Sequence, residues 1–99
     1  MMRISASEQV QLWLASLPPQ SKRRVRAALK SLASPGRELD VKALRRELEG
    51  FHRLRIGDYR VVFHLEANQT ICLDYAELRE EVYEAFKRLR ALREESSQE

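Results

Sequence analysis

The chain has 99 residues, 33% of them charged, and a formal net charge of +3. This length suits one domain with a single modest core and excludes a protein with two cores. The predicted domain therefore spans residues 1–99, with a frayed tail over about 96–99. The single cysteine, Cys72, excludes an internal disulfide, and its strand-like apolar surroundings predict a buried structural thiol.

Charge is distributed unevenly along the chain. Residues 1–60 carry a net charge of +7 and residues 61–99 one of −4. A basic surface is therefore predicted in the first two thirds, where it suits nucleic acid or an acidic protein. The sequence shows no signal-peptide pattern and no apolar run long enough to span a membrane, so a cytoplasmic location is expected.

Two helices are predicted at the start of the chain. A capping-box pattern at Ser5–Glu8 opens the first, which spans about 6–17 and ends at Pro18-Pro19. The second begins near Pro19 or Gln20 and ends at Pro35-Gly36. Its outer face carries five basic side chains and no acidic one: Lys22, Arg23, Arg24, Arg26 and Lys30. Such a face is either simply solvated or able to attract an RNA backbone or an acidic partner.

Residues 37–50 are predicted to form a connector with a helical turn around 41–48, and the segment 51–63 then predicts a β-hairpin. Gly57-Asp58 is a glycine-first pair typical of a type II′ turn, flanked by alternating apolar residues. This turn places Arg55 opposite Arg60, with Arg53 on the same face of the strands. Like charges in that position cost up to about 1 kcal/mol a pair. The face is therefore predicted to bind phosphate, and the alternative is a solvated face whose arginines point apart.

A third strand over 70–75 completes a predicted three-stranded antiparallel meander, and a helix over about 77–95 follows it. The apolar stripe of that helix is predicted to contain Leu78, Val82, Phe86 and Leu89. Arg79 and Tyr83, four residues apart, should be neighbours on its flank. Tyr83 is either an interfacial tyrosine with a solvated hydroxyl or a functional residue. The chain has no CxxC, HExxH or glycine-rich phosphate motif, so neither a metal nor a nucleotide cofactor is indicated.

The order of these elements and two of their motifs resemble the RelE/ParE superfamily of bacterial toxins. The first motif is matched by Leu48, Gly50, Arg53, Arg55, Gly57, Tyr59 and Arg60, and the second by Arg79, Val82 and Tyr83. Leu78 departs from the family pattern, which usually has histidine or another polar residue there. The preceding segment 74–77 also lacks the glycine that family members commonly have before this position. The resemblance implies an α+β RelE-like fold: two N-terminal helices on a small antiparallel sheet, with a C-terminal helix. It also allows a short extra N-terminal strand.

The resemblance implies the toxin of a type II toxin–antitoxin pair, and for the RelE-like branch a metal-free endoribonuclease that cuts mRNA on the ribosome and inhibits translation. By analogy, Arg60 would hold the scissile phosphate and Tyr83 would stack on a base or relay a proton, with Arg79 at the rim. Further phosphate or RNA contacts are expected from Arg53, Arg55, Lys22, Arg23 and Arg26. The expected partners are a cognate antitoxin, in a hetero-oligomer, together with ribosome and mRNA.

Two alternatives remain open from the sequence. Leu78 favours a ParE-like inhibitor of DNA gyrase without nuclease activity, and an inactive relative would act only as a co-repressor with its antitoxin. The general base is also open, since tyrosine is a weak base at neutral pH. His64 lies four residues along the strand from Arg60, at roughly 13 Å, and His52 is predicted to lie on the apolar side.

Overall fold

The computed structural model describes residues 2–34, 38–78 and 81–97, and within these ranges three helices accompany a five-stranded sheet. In chain order the elements are β1 (Arg3–Ala6), α1 (Glu8–Ser16), α2 (Pro19–Leu32), β2 (Asp40–Ala43), a 3₁₀ turn (Arg46–Leu48), β3 (His52–Ile56), β4 (Tyr59–Glu66), β5 (Thr70–Leu78) and α3 (Glu81–Ser97). The strand order is β1-β5-β4-β3-β2, with β1 parallel to β5 and the other pairs antiparallel. The predicted α+β class is confirmed; the N-terminal strand that the resemblance allowed is present, and its parallel pairing makes the sheet mixed rather than antiparallel. No described helix has both the length and the apolar character needed to cross a membrane.

Ser7, rather than the predicted Ser5, caps helix α1. Its hydroxyl accepts a hydrogen bond from the backbone N–H of Val10 at 3.2 Å, which satisfies a donor that the first helical turn leaves unpaired. The same hydroxyl donates to the carbonyl of Asp74 at 2.9 Å. Ser5 lies instead in β1, opposite Cys72, because its backbone completes the parallel ladder with β5. The cap therefore also joins the start of α1 to the sheet.

Helix α2 begins at Pro19, as predicted. Proline suits the first helical position because the backbone N–H that it lacks would have no hydrogen-bond partner within the helix there. The helix ends at Leu32, and the predicted stop at Pro35-Gly36 lies outside the described residues. Val25 and Leu29 are its buried residues.

The prediction of a helical turn around 41–48 was wrong for its first half, where β2 forms the edge of the sheet. Strand β2 pairs antiparallel with β3, and Asp40 lies opposite Arg55 while Lys42 lies opposite Arg53. All four residues of β2 are exposed. A short exposed edge strand needs no apolar alternation, which explains why the sequence pattern missed it. Only 46–48 forms a helical turn, which is 3₁₀, and it buries Leu48.

The sheet separates two apolar clusters. The first lies under α1 and α2, and its buried residues are Val10, Val25, Leu29, Ala33, Leu54, Ile56, Val61, Phe63, Ile71, Leu73 and Ala76. The second, on the other face under α3, consists of Leu48, Val62, Val82 and Phe86. Because side chains alternate along a strand, β4 contributes to both clusters. Helix α3 therefore covers part of the face on which the arginines of the hairpin lie.

The last strand was predicted to end three residues too early, at 75, and the last helix to start at about 77 rather than at Glu81. β5 continues to Leu78, which pairs with Tyr59 and is 42% exposed, so it does not belong to the core of α3. Pairing with the full length of β4 outweighs the helical spacing of the sequence in this segment. Val82 and Phe86 are buried in α3 as predicted. A bulge at Asp74 interrupts the pairing of β4 with β5.

Adding one methyl group at Gly57 of the hairpin turn should destabilise the fold measurably. Gly57 has φ +60°, and a Cβ there would lie 2.9 Å from Nη1 of Arg24. We expect Gly57→Ala to lower the free energy of unfolding by about 1–2 kcal/mol, mainly because L-residues are disfavoured in the left-handed region. Urea denaturation measures this, with the exposed turn neighbour Asp58→Ala as the control, expected to change stability by less than about 0.5 kcal/mol. Equal effects of the two variants would contradict the assignment of strain to Gly57.

Candidate functional site

The turn of the β3–β4 hairpin has the predicted geometry. Gly57 has a positive φ and Asp58 does not, which is the pattern of a type II′ turn. Ile56 pairs with Tyr59 and Arg55 pairs with Arg60, so the predicted register is confirmed. The two arginines therefore lie side by side on one face of the sheet.

The carbonyl of Gly57 holds these two arginines together. It accepts a hydrogen bond from Nη1 of Arg60 at 2.9 Å and one from Nε of Arg55 at 3.4 Å. Nη1 of Arg60 also donates to the carbonyl of Tyr59 at 3.1 Å. Carbonyl oxygens carry the negative end of the peptide dipole, so they offset part of the repulsion between the guanidinium groups. The turn thus fixes the position of Arg60 without neutralising it.

Arg53 is held by an ion pair instead. Its Nη1 lies 3.0 Å from Oδ1 of Asp40, and its side chain is 14% exposed whereas that of Asp40 is 53% exposed. An ion pair with one exposed partner contributes at most about 1 kcal/mol to stability. Its main effect is to orient Arg53 and to compensate one positive charge of the site.

A cleft of about 240 Å³ brings these groups together. It is lined by Lys42, Leu44, Arg53, Arg55, Arg60 and Tyr83. The described lining contains four cationic side chains and no carboxylate, which is the composition expected of a phosphate site. Tyr83 reaches the cleft from α3, where it also packs against the apolar cluster formed by Leu48, Val62, Val82 and Phe86. The structure therefore unites four of the predicted residues: Arg53, Arg55, Arg60 and Tyr83.

Other predicted residues lie elsewhere. Lys22, Arg23 and Arg26 belong to α2, which packs on the opposite face of the sheet, and they do not line the cleft. Arg79 lies outside the described residues. Arg24, also on α2, approaches the hairpin turn and lines a groove with Arg55 and Gly57.

Sequence reasoning missed two polar residues of this region. Lys42 was overlooked because β2, a short exposed edge strand, was predicted as a connector. Glu77 was assigned to a helix, but it pairs directly with Arg60 across β4 and β5. Directly paired residues share a face, so Glu77 places a half-buried carboxylate on the arginine side. Burial, together with Glu77, raises the pKa of the neighbouring Tyr75.

The two histidines lie apart from the cleft. The ring of His52 stacks on Phe63 with centroids 5.4 Å apart, as its predicted apolar placement requires. His64 has Nδ1 2.7 Å from Asp74 and Nε2 3.0 Å from Glu66. Burial opposes the charged form of His64, but these two carboxylates outweigh it and raise its pKa.

Cys72 is half-buried, so the prediction of a buried thiol was wrong in degree. Its side chain lies on the same face of the sheet as His64, beside Glu66, whereas its neighbours Ile71 and Leu73 face the core under α1 and α2. Burial, followed by the negative charge of Glu66, raises the pKa of the Cys72 thiol.

Comparison with solved structures identifies the fold. A chain of the RelBE2 toxin–antitoxin complex from Mycobacterium tuberculosis is 26% identical, with a TM-score of 0.65 over 79% of this chain and 98% of that one. A chain of the archaeal RelE–RelB complex from Pyrococcus horikoshii is 28% identical, with a TM-score of 0.62 over 82% and 98%. The chain therefore has the fold of RelE/ParE-superfamily toxins.

The similarity extends to more distant superfamily members. The YoeB/ParE toxin from Agrobacterium tumefaciens is 13% identical, with a TM-score of 0.62 over 79% of this chain and 99% of that one, and it shares the fold. The sequence alone matches no protein-family model and no curated protein. The RelE/ParE resemblance drawn from the hairpin motif is confirmed by these structures.

The cleft predicts a specific pattern of anion binding. We expect Arg55→Gln and Arg60→Gln each to weaken binding of a single-stranded RNA oligonucleotide and to reduce the magnitude of its salt slope by about 1. Arg3→Gln removes the same charge from β1, at the opposite edge of the sheet, and should change neither quantity. Fluorescence anisotropy over a range of salt concentrations measures both. Equal losses in all three variants would show that net charge alone governs binding.

Proposed function

We propose that this RelE/ParE-superfamily chain is the toxin of a type II toxin–antitoxin pair and that it cuts translated mRNA on the ribosome without a metal ion. One observation carries the proposal: three arginines and a tyrosine, from two strands and a helix, line one cleft whose described lining has no carboxylate. The similarity to chains of two RelE-type toxin–antitoxin complexes supports it.

The chemistry requires three tasks of the site. The ribose 2′-hydroxyl attacks the adjacent phosphorus, the P–O5′ bond breaks, and a 2′,3′-cyclic phosphate and a 5′-hydroxyl form. The site must therefore accept the proton of the 2′-hydroxyl, stabilise the added negative charge on the phosphorane, and protonate the leaving oxygen.

Arg60 is proposed to stabilise the negative charge of the phosphorane. It is half-buried, and the carbonyls of Gly57 and Tyr59 accept hydrogen bonds from its Nη1, so that, with respect to the described residues, Nε and Nη2 can donate to two phosphate oxygens. A guanidinium fork of this kind matches a phosphate in bidentate fashion. Arg55 and Lys42 are more exposed and would contact flanking phosphates. Arg53, already paired with Asp40, would add charge at longer range.

Tyr83 is assigned to orientation and proton relay. Its phenol lines the same cleft as Arg60, and its packing on α3 fixes its approach. Glu77 pairs directly with Arg60 across β4 and β5, so its carboxylate lies beside that arginine. The variant Glu77→Gln tests whether this carboxylate accepts the proton of the 2′-hydroxyl. His64 is not assigned a role, because its two ring nitrogens already lie against Asp74 and Glu66.

An antitoxin is the proposed protein partner. A groove between α2 and the hairpin adjoins the cleft at Arg55, and its charged lining is mixed: Arg24 and Arg55 with Glu38 and Asp40. An amphipathic segment of the antitoxin lying along this groove, with acidic side chains toward Arg24 and Arg55, would cover Arg55 and close access to the cleft.

Induction of the chain alone in a bacterial host, followed by mapping of mRNA 5′ ends, tests the function. We expect growth arrest and new 5′ ends within translated frames. Arg60→Ala should reduce cleavage by at least about 100-fold, as loss of a group that stabilises a transition-state oxyanion does elsewhere. Tyr83→Phe should also reduce it, because the hydroxyl is lost while the ring remains.

Two variants serve as matched controls. Tyr75→Phe removes a hydroxyl from a tyrosine that packs on Phe86 outside the cleft, and Arg3→Ala removes an arginine at the far edge of the sheet. Both should cleave like the parent chain. Growth arrest with intact mRNA and a DNA-damage response would favour gyrase inhibition instead, and no arrest would favour a co-repressor.

A further inference from the structure

A second group of polar side chains lies at the other end of β4 and β5, near the turn that joins them. His64 and Cys72 are direct partners across the two strands, and Glu66 follows His64 by two residues. All three therefore project from the same face of the sheet. This group was not visible as a sequence motif, because the pairing of two strands, and not a fixed spacing along the chain, brings it together.

The donor atoms of this group are close enough to share one ion. One nitrogen of His64, one carboxylate oxygen of Glu66 and Sγ of Cys72 all lie within 4.8 Å of one another. In a tetrahedral zinc site with bonds of about 2.0–2.3 Å, donor atoms lie roughly 3.3–3.7 Å apart. Small side-chain rotations would bring the donor atoms from their present separations to those of a tetrahedral site. We propose that His64, Glu66 and Cys72 form a Zn²⁺ site on this face of the hairpin.

Asp74 supports this assignment as a positioning residue. Its Oδ2 lies 2.7 Å from Nδ1 of His64, and the bulge in β5 places it there. Histidine ligands of zinc typically donate the N–H of their second ring nitrogen to a carboxylate, which fixes the ring and directs the other nitrogen to the metal. In this hairpin Nδ1 faces the Asp74 carboxylate, and Nε2, the nitrogen that would bind the metal, lies on the side of Glu66.

The chemistry of the proposed ligands, a thiolate, an imidazole and a carboxylate, indicates which metal ion the site would bind. A thiolate and an imidazole favour Zn²⁺ over Mg²⁺ and Ca²⁺, which prefer oxygen ligands. Glu66 and Asp74 supply negative charge that a divalent cation would neutralise. Three protein ligands leave the fourth tetrahedral position to water. The site lies roughly 13 Å along β4 from Arg60, so it is separate from the arginine cleft, and its proposed effect is to link β4 to β5.

Cobalt and zinc titrations test the site on the purified chain. Co²⁺ should give a thiolate-to-metal charge-transfer band and tetrahedral d–d bands that saturate at one equivalent per chain. Because Cys72 is the only cysteine, the charge-transfer band reports on that residue alone. Zn²⁺ should displace Co²⁺ and raise the melting temperature, and a chelator should reverse the increase.

Variants separate the proposed ligands from the remaining residues. Cys72→Ser should abolish the charge-transfer band, and His64→Gln should weaken Zn²⁺ binding by more than tenfold. Asp74→Asn should weaken it by about 10–100-fold while the band remains. His52→Gln removes the other histidine, on the opposite face, and should bind Zn²⁺ like the parent chain, with circular dichroism confirming the fold of each variant. The absence of a saturable band, or unchanged Zn²⁺ affinity in His64→Gln, would overturn the proposal.

Discussion

The left-handed backbone of Gly57 is the constraint on which the arginine cleft depends. A positive φ at this one position makes a two-residue turn, and a two-residue turn fixes the register that places Arg55 opposite Arg60. A slip of one residue would turn these arginines into the apolar core and turn Leu54 and Val61 out of it. The carbonyl of the same glycine then accepts hydrogen bonds from both guanidinium groups. Fold and charge arrangement thus share one origin in the hairpin.

The unequal covering of the two faces of the sheet leaves the arginines accessible. Helices α1 and α2 cover one face, under which Leu54 and Val61 are fully buried. On the other face α3 packs against Val62, through Val82 and Phe86, and leaves the turn end of the hairpin open. Only Tyr83 reaches the cleft from α3 among the described residues. The side chain proposed to act on the ribose is therefore carried by the element that also completes the second apolar cluster.

The parts of the fold that local chemistry determines were predictable from the sequence. The Gly57 turn, the hairpin register and the start of α2 at Pro19 follow from backbone preferences and were confirmed. β2 and the end of β5 depend instead on pairing with strands distant in sequence, and both were predicted wrongly. For the same reason the cleft was predicted only in part: Arg60 and Tyr83 line it together, whereas Lys42 in its lining and Glu77 beside Arg60 were missed. The roles assigned to all four remain predictions.

The central claim is that the cleft between the hairpin and Tyr83 holds the phosphate that is cut. A cryo-electron microscopy structure of the chain on a translating ribosome, with a 2′-O-methyl group at the cleaved nucleotide to block attack, would test it most directly. The account predicts that the phosphate after that nucleotide contacts the guanidinium of Arg60 and that the phenol of Tyr83 lies beside the ribose. Binding of the mRNA along the outer face of α2, with the cleft remote from any phosphate, would contradict it.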